Sequence, residues 1–319
     1  MISKRLFGTL TKLHQWNVNP IHLQHLSSHG YSIIDNALPT ETALSLRDEL
    51  VASAMTQPKL LTPNSTISLN PKTNTRQLVA KHNIAEFDLA FDKVAHALPT
   101  LSRFAKDPSL LAAINNSSPA LNLKHQTVKA QINFGNGGCF PMHYDTDAKL
   151  DQRKVTAIVY LNEQYQKGDG GELRVYPFPM TGSVDVEPLF NRVVLFSSAW
   201  CLHRVLPSVV DRLCFTIWIS GAKPEESLVV TEEKVNRQDF LLWKENRQLL
   251  TKLVYADEWI QSIQDSHPDT PERDLLVDTH IRDCLAIDRR LKDYFPEGYE
   301  GFDMKDWIGY FEGRRVDWF

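Results

Sequence analysis

Between residues 128 and 220 the chain alternates apolar and polar positions with the period of two expected of half-buried strands. In 128–134, Val128, Ala130, Ile132 and Phe134 face one way, and Lys129, Gln131 and Asn133 the other. In 154–162, Val155, Ala157, Val159 and Leu161 alternate with Lys154, Thr156, Ile158, Tyr160 and Asn162. In 212–220, Leu213, Phe215, Ile217 and Ile219 alternate with Arg212, Cys214, Thr216, Trp218 and Ser220. Each strand therefore has an apolar face that needs covering and a mixed face suited to lining a pocket. Turn residues separate the strands at 168–171 and 207–211. A two-sheet sandwich or small barrel satisfies the pattern.

The flanks carry helical spacing. Residues 20–28 predict a short helix and 30–35 a strand. A longer helix opens at Pro39, Thr40 and Glu41, with Ala43, Leu44, Leu46, Leu50 and Val51 largely on one face. Residues 57–83 are polar and predict a lid or binding loop. Residues 85–114 predict helix, through Phe87, Leu89, Phe91, Val94 and Leu98, interrupted at Pro99 and Pro108. Beyond Gly221 three helices are expected. They are 232–254, with Phe240, Trp243, Leu250 and Leu253; 257–266; and 271–295, with Leu275, Leu276, Leu285 and Leu291. The resulting division is a basic N-terminal segment 1–19, a core domain 20–221 and a helical extension 222–319. The extension is expected to dock on the core. Its aromatic end, Trp307, Tyr310, Phe311, Trp318 and Phe319, suits a dimer or partner surface.

Composition narrows the function classes. A net charge of −4 over 319 residues with both signs interspersed gives no basic face for nucleic acid. No apolar stretch approaches the ~20 residues of a membrane span. The four cysteines have neither metal nor secreted spacing, which points to reduced thiols and a cytoplasmic or nuclear location. The first thirteen residues are basic and hydroxylated, with no acid before Asp35, so an organelle-matrix presequence is the alternative.

The chemistry centres on His143-Tyr-Asp145. Side chains two apart on a strand share a face, so imidazole and carboxylate converge there. With His203 they make the donor set of a non-haem Fe(II) oxygenase. A second His-x-Asp, His267-Pro-Asp269, reads instead as a helix entry, with Thr270 as cap, Pro271 at the first helical position and Glu272 in the first turn. Arg212 follows His203 across a turn, and a hairpin would bring its guanidinium beside the pocket to grip a carboxylate, with the Tyr160 phenol assisting. An inward arginine paired with a core acid is the other reading. Next to a metal site, a dicarboxylate cosubstrate explains it better.

Residues 30–221 resemble the 2-oxoglutarate and Fe(II)-dependent dioxygenases, and among them the oxygen-sensing type of prolyl 4-hydroxylase. The resemblance rests on His143-Tyr-Asp145, the run from Arg153 to Asn162, Gly170-Gly-Glu-Leu-Arg-Val-Tyr-Pro177, Asp185-Val-Glu-Pro188, His203-Arg-Val and Arg212…Thr216-Ile-Trp218. It implies an α+β, mainly β fold: a double-stranded β-helix, or jelly roll, with N-terminal covering helices and a C-terminal helical annex. It assigns iron to His143, Asp145 and His203, and 2-oxoglutarate to Arg212, Tyr160 and Thr216. Trp218, Asn133, Gln131 and Arg153 would line the substrate pocket. Asn133 stands where the oxygen-sensing relatives place a tyrosine, and the Asp145 to Tyr160 spacing is one residue longer. The implied cofactors are Fe(II), 2-oxoglutarate and O2, with ascorbate as activator. The implied reaction is hydroxylation of a prolyl residue in a protein or peptide, with residues 62–83 closing over it. A small-molecule hydroxylase on the same scaffold and a non-catalytic metal-binding interaction module are the rival readings. A nucleic-acid demethylase is disfavoured, because the pocket strands lack basic and aromatic clusters.

Overall fold

The computed structural model describes residues 16–70, 75–147, 151–180, 182–222, 243–294 and 316–319. Most of segment 1–19, and Phe240, Trp307, Tyr310 and Phe311, lie outside them.

Two antiparallel sheets face each other. The larger contains β1 (Tyr31–Ile34), β2 (Thr62–Asn70), β3 (Thr75–Asp88), β4 (Leu123–Asn133), β6 (Arg153–Tyr160), β9 (Val193–Ser197) and β11 (Arg212–Gly221). Its seven strands run in the order β1-β9-β6-β11-β4-β3-β2. The smaller contains β5 (Gly138–His143), β7 (Leu173–Tyr176), β8 (Val184–Val186) and β10 (Leu202–Ser208), in the order β5-β10-β7-β8. This is the mainly β core with flanking helices expected of a jelly roll.

The alternation reads directly as layers. Val155, Ala157, Val159, Phe215, Ile217 and Ile219 face outward from the larger sheet and are buried under helices. Those helices are α1 (Pro20–His29), α2 (Thr40–Thr56), α3 (Asp92–Ala97), α4 (Pro99–Ala105) and α5 (Ser109–Ser117), whose Leu46, Leu50, Leu101, Phe104 and Ile114 complete this core. The short α4 is capped from a distance: the Glu49 carboxylate of α2 accepts the Thr100 and Leu101 N–H groups at 2.8 and 2.6 Å. The inward face carries Ile158, Tyr160 and Cys214 against Leu173 and Val175 of the smaller sheet.

The structure corrects three expectations. Residues 62–70 and 75–83 belong to paired antiparallel strands, not a loop: β2 pairs with β3 from Thr62 opposite Glu86 to Asn70 opposite Thr75. As the sheet's edge, β2 borders a polar cavity along Asn64 to Ser68, with Ile67 still 64% exposed, so no alternation marks it. Residues 85–88 are strand rather than helix, because β3 pairs with β4 from Ile84 opposite Asn133 to Asp88 opposite Lys129. Pairing overrides the helix-like spacing of Phe87, Leu89 and Phe91. Finally, the turn after His203 is a corner between sheets rather than a hairpin: β10 lies in the smaller sheet and β11 in the larger.

Of the C-terminal helices α6 (Lys244–Val254), α7 (Ala256–Ser266) and α8 (Pro271–Tyr294), α7 lies against β5 and β10 of the smaller sheet, while α6 and α8 pack on α7 and on each other and α8 reaches β2. The Met142 N–H of β5 donates to Ser262 Oγ of α7 at 2.9 Å, and Arg204 of β10 pairs with Asp265 at 2.7 Å. Trp318 is buried over Gly30, whose φ of +80° lies in the left-handed region; a Cβ there would sit 2.5 Å from the indole. Among the described residues no helix is long and apolar enough to cross a membrane. All four cysteines are unpaired.

His267 is at the helix entry expected, with Thr270 Oγ1 accepting the Arg273 N–H at 3.4 Å. Its ring is buried between α7 and β2: Nδ1 donates to the Ile263 carbonyl at 3.1 Å, and Nε2 accepts from the Thr66 hydroxyl at 2.9 Å. Burial pushes its pKa down to about 4, with Lys81, His82 and Arg273 acting in the same direction and the Ile263 carbonyl against it. An unfolded histidine titrates near 6.5, so the unfolded chain takes up the proton first. The stabilisation is therefore complete above pH 6.5 and lost as the pH falls toward 4. Thermal melts between pH 7.5 and 5 are expected to show a falling midpoint in the wild type and a shallower fall in His267→Gln.

Candidate metal centre and anion pocket

β5 and β10 pair antiparallel with His143 directly opposite His203, which brings two imidazoles together from positions sixty residues apart in sequence. Their ring centroids are 4.4 Å apart. Asp145 completes the group, with Oδ1 3.6 Å from His143 Nε2 and 3.7 Å from His203 Nε2. The three ligand atoms all lie within 4.8 Å of one another. Asp145 is not on the strand: β5 ends at His143, and the aspartate sits in a bend fixed by its own N–H donating to the Ser198 carbonyl at 3.0 Å.

Each imidazole is oriented from behind. His143 Nδ1 donates to the Pro141 carbonyl at 2.7 Å and His203 Nδ1 to the Cys201 carbonyl at 3.0 Å. A carbonyl only accepts, so both Nδ1 atoms carry the proton and both Nε2 lone pairs face Asp145. Burial and then His143 push His203 down to about 4, against the pull of Asp145. Burial alone would raise Asp145, but His143, His203 and the Thr156 hydroxyl outweigh it and hold the carboxyl well below the usual range. Near neutral pH the aspartate is a carboxylate and His203 a neutral imidazole, as metal binding requires.

Thr156 of β6 donates to Asp145 Oδ2, which fixes the carboxylate and leaves Oδ1 toward the histidines. Its Oγ1 also lies 2.8 Å from Ser198 Oγ. Thr156→Val is expected to weaken binding of Fe(II), or of Mn(II) as a stand-in, by about 10–100-fold, with Thr156→Ser recovering most of it. Calorimetric titration of the metal-free protein measures this.

These side chains open on a cavity of about 750 Å³. His143, Asp145, His203, Arg212, Thr216, Trp218, Gln131 and Arg153 line it; Tyr160 and Asn133 do not. Tyr160 is fully buried beside Arg212, its ring 4.9 Å from the guanidinium carbon. Arg153 is partly committed, donating to the Asp145 carbonyl at 3.1 Å, pairing with Asp151 at 3.0 Å and stacking 4.9 Å from the Trp218 ring.

Residues 129–220 match the model of the 2OG-Fe(II) oxygenase superfamily. The matched segment carries His143, Asp145, His203 and Arg212. Human Egl nine homolog 1 is 27% identical over 210 residues, 62% of this chain and 45% of the relative. Human prolyl hydroxylase EGLN3 is 37% identical over 91 residues, 28% of this chain and 38% of the relative. The chain thus spans less than half the length of either curated relative. A prolyl 4-hydroxylase structure from Phytophthora capsici superposes with a TM-score of 0.68 at 27% identity, covering 93% of each chain.

The superfamily uses Fe(II), 2-oxoglutarate and O2, and the residues present fit these groups. Two imidazoles and one carboxylate with open positions suit non-haem Fe(II). For 2-oxoglutarate the observation is a set of buried polar atoms without partners. Arg212 is buried beside Tyr160, its Nη1 donates to Cys214 Sγ at 3.2 Å, and among the described residues its Nε and Nη2 have no hydrogen-bond partner. The Tyr160 hydroxyl and both side-chain atoms of Asn133 are likewise unpaired. Buried donors are rarely left without partners in a folded protein, and a carboxylate beside Arg212 would satisfy its Nε and Nη2.

Parts of this site escape a sequence reading. Thr156 was visible only as one more residue on a mixed face. Lys252, Trp259, His267, Thr279, His280 and Asp283, from the C-terminal helices, line the same cavity. No local signal ties them to a metal motif more than a hundred residues earlier.

Proposed function

We propose that the protein is a 2-oxoglutarate- and Fe(II)-dependent dioxygenase that hydroxylates prolyl residues in a protein or peptide. His143, Asp145 and His203 would hold the iron, and Arg212, with Tyr160 and Thr216, the 2-oxoglutarate. The observation that carries this is the juxtaposition, in one cavity, of a three-donor cluster and a buried guanidinium with no carboxylate partner among the described residues. The names of human prolyl hydroxylase EGLN3 and of the Phytophthora capsici prolyl 4-hydroxylase support a prolyl substrate.

Bound there, iron and 2-oxoglutarate supply oxygen activation: 2-oxoglutarate is oxidised to succinate and carbon dioxide, and one oxygen atom passes to a substrate C–H. The chain itself positions and shields. The Nδ1–H groups of His143 and His203 stay hydrogen-bonded to backbone carbonyls, which keeps both Nε2 lone pairs directed at one point. Arg212 holds an anion away from water, where its fork is strongest. Burial pushes Tyr160 up to about 12 even beside Arg212, so its phenol keeps the proton and donates. Thr216 Oγ1, 3.3 Å from Gln131 Oε1, adds a hydroxyl on the same wall. Trp218 and Ile158 narrow the space beside the donors. The cavity's outer part, between the β2–β3 hairpin and helices α7 and α8, leaves room for a peptide segment.

The test is succinate release by the purified protein with Fe(II), ascorbate, 2-oxoglutarate and air, with and without proline peptides. Turnover that proline peptides stimulate supports the reading. Tight metal binding without any conversion of 2-oxoglutarate would favour a non-catalytic module instead.

A further inference from the structure

β3 breaks its alternation once. It pairs with β2 as Glu86 opposite Thr62 and Ala85 opposite Pro63, then resumes at Ala80 opposite Ser65, so residues 81–84 stand against Asn64 alone. The interruption is built in. Asn83 sits at its centre with φ +50°, its carbonyl accepts the Phe134 N–H at 2.8 Å, and its Nδ2 donates to the Asn136 carbonyl at 2.9 Å. Bulges of this kind re-aim side chains near binding sites. Unbroken alternation from Glu86, on the cavity face, would turn Lys81 away; the bulge reverses the parity, and Lys81 lines the cavity.

The Lys81 ammonium is under-partnered where it ends. Among the described residues its hydrogen-bond acceptor is Asn64 Oδ1 at 2.6 Å, and Nζ lies 5.2 Å from the Phe140 ring centroid. Three other cations of the cavity have carboxylates: Lys129 has Glu86 at 2.7 Å, Lys252 has Asp283 at 2.7 Å and Arg153 has Asp151 at 3.0 Å. Only Arg212 shares Lys81's lack of one among the described residues, and the cosubstrate answers Arg212. Glu86 is already engaged through both oxygens, by Lys129 and by Asn64 Nδ2 at 2.7 Å. Burial pushes Lys81 down to about 8 despite Glu86 nearby, so near neutral pH the group is still charged and gains from a counter-ion.

We infer that Lys81 is the specificity-determining residue of the β2–β3 hairpin and takes a carboxylate of the peptide near the target proline. The carboxylate is either an acidic side chain or the peptide's C-terminus. This rests on the prolyl reading above.

The experiment incubates the iron- and 2-oxoglutarate-loaded full chain with a peptide library centred on proline, each member made with a free and an amidated C-terminus. Mass spectrometry scores the gain of one oxygen. The wild type is expected to favour peptides with Asp or Glu at one fixed position, or free over amidated ends, by about 10–100-fold in kcat/KM. Lys81→Glu is expected to abolish that preference and transfer it to Lys or Arg at the same position. The ratio is internal to each enzyme, so a general loss of activity does not move it. If Lys81→Glu makes no product, Asn64→Asp decides, since it gives Lys81 an internal partner and should shrink the acidic preference. A wild type indifferent to peptide charge, or variants that keep the acidic preference, overturns the inference while leaving the enzyme reading intact. Succinate release with no peptide hydroxylated rejects the prolyl substrate and this inference together. No succinate release rejects the dioxygenase reading itself.

Discussion

Arg212→Ala is expected to raise the KM for 2-oxoglutarate by about 10²–10³-fold while leaving metal binding nearly unchanged. The size follows from truncating one partner of a desolvated, charge-assisted pair, which costs about 2–5 kcal/mol. Arg212 has no carboxylate partner among the described residues, so its removal strands no buried anion of the chain's own. The fold should therefore survive, and a thermal melt checks that. Arg212→Lys keeps the charge but loses the planar fork, and should fall between alanine and wild type. The measurement is succinate release against 2-oxoglutarate concentration, with calorimetry for the metal. An unchanged KM in Arg212→Ala would place the cosubstrate elsewhere.

The second large effect is at the metal. His203→Ala should lose metal affinity by more than the roughly 10–100-fold expected of a supporting residue such as Thr156. Succinate release should drop to background. The discriminating readout is the melting midpoint with and without added Mn(II). A metal bound only by the folded state stabilises it by mass action, so the wild type should shift upward and the variant should not. A variant that still shifts like the wild type would exclude His203 as a ligand. His267→Gln is the control: it alters another buried histidine bordering the cavity and should leave the metal shift in place.

Where a residue's role depends on period-two alternation, the sequence was enough. Val155, Ala157, Phe215 and Ile217 read as the covered face and are buried under the N-terminal helices. Thr156, Thr216 and Trp218 read as pocket-facing and line the cavity. The residues lost to view are those set by long-range pairing or by breaks in the period. β2 is polar because it is an edge beside a polar cavity, and polar runs resemble loops. Lys81 faces inward only because a bulge held by Asn83 inverts the alternation, which no window of local sequence displays. Asp145 was expected on a strand and instead sits beyond its end, held by the Ser198 carbonyl. Tyr160 faces the inner side as expected, but Arg212 stands between it and the cavity.

The corner between β10 and β11 separates the two ends of the proposed cosubstrate site onto different sheets. His203 belongs to the smaller sheet and Arg212 to the larger, and only 209–211 intervene between the strands. Facing sheets stand about 10 Å apart, a spacing set by the interdigitated side chains between them and stiff against compression. On the proposed reading the site would work as a calliper: its jaws are two rigid layers, and it would gauge the length of a diacid rather than its charge alone. Homologues of 2-oxoglutarate shorter or longer by one methylene would present the same groups at the wrong span, and thickening the packing between the layers would reset which chain length fits.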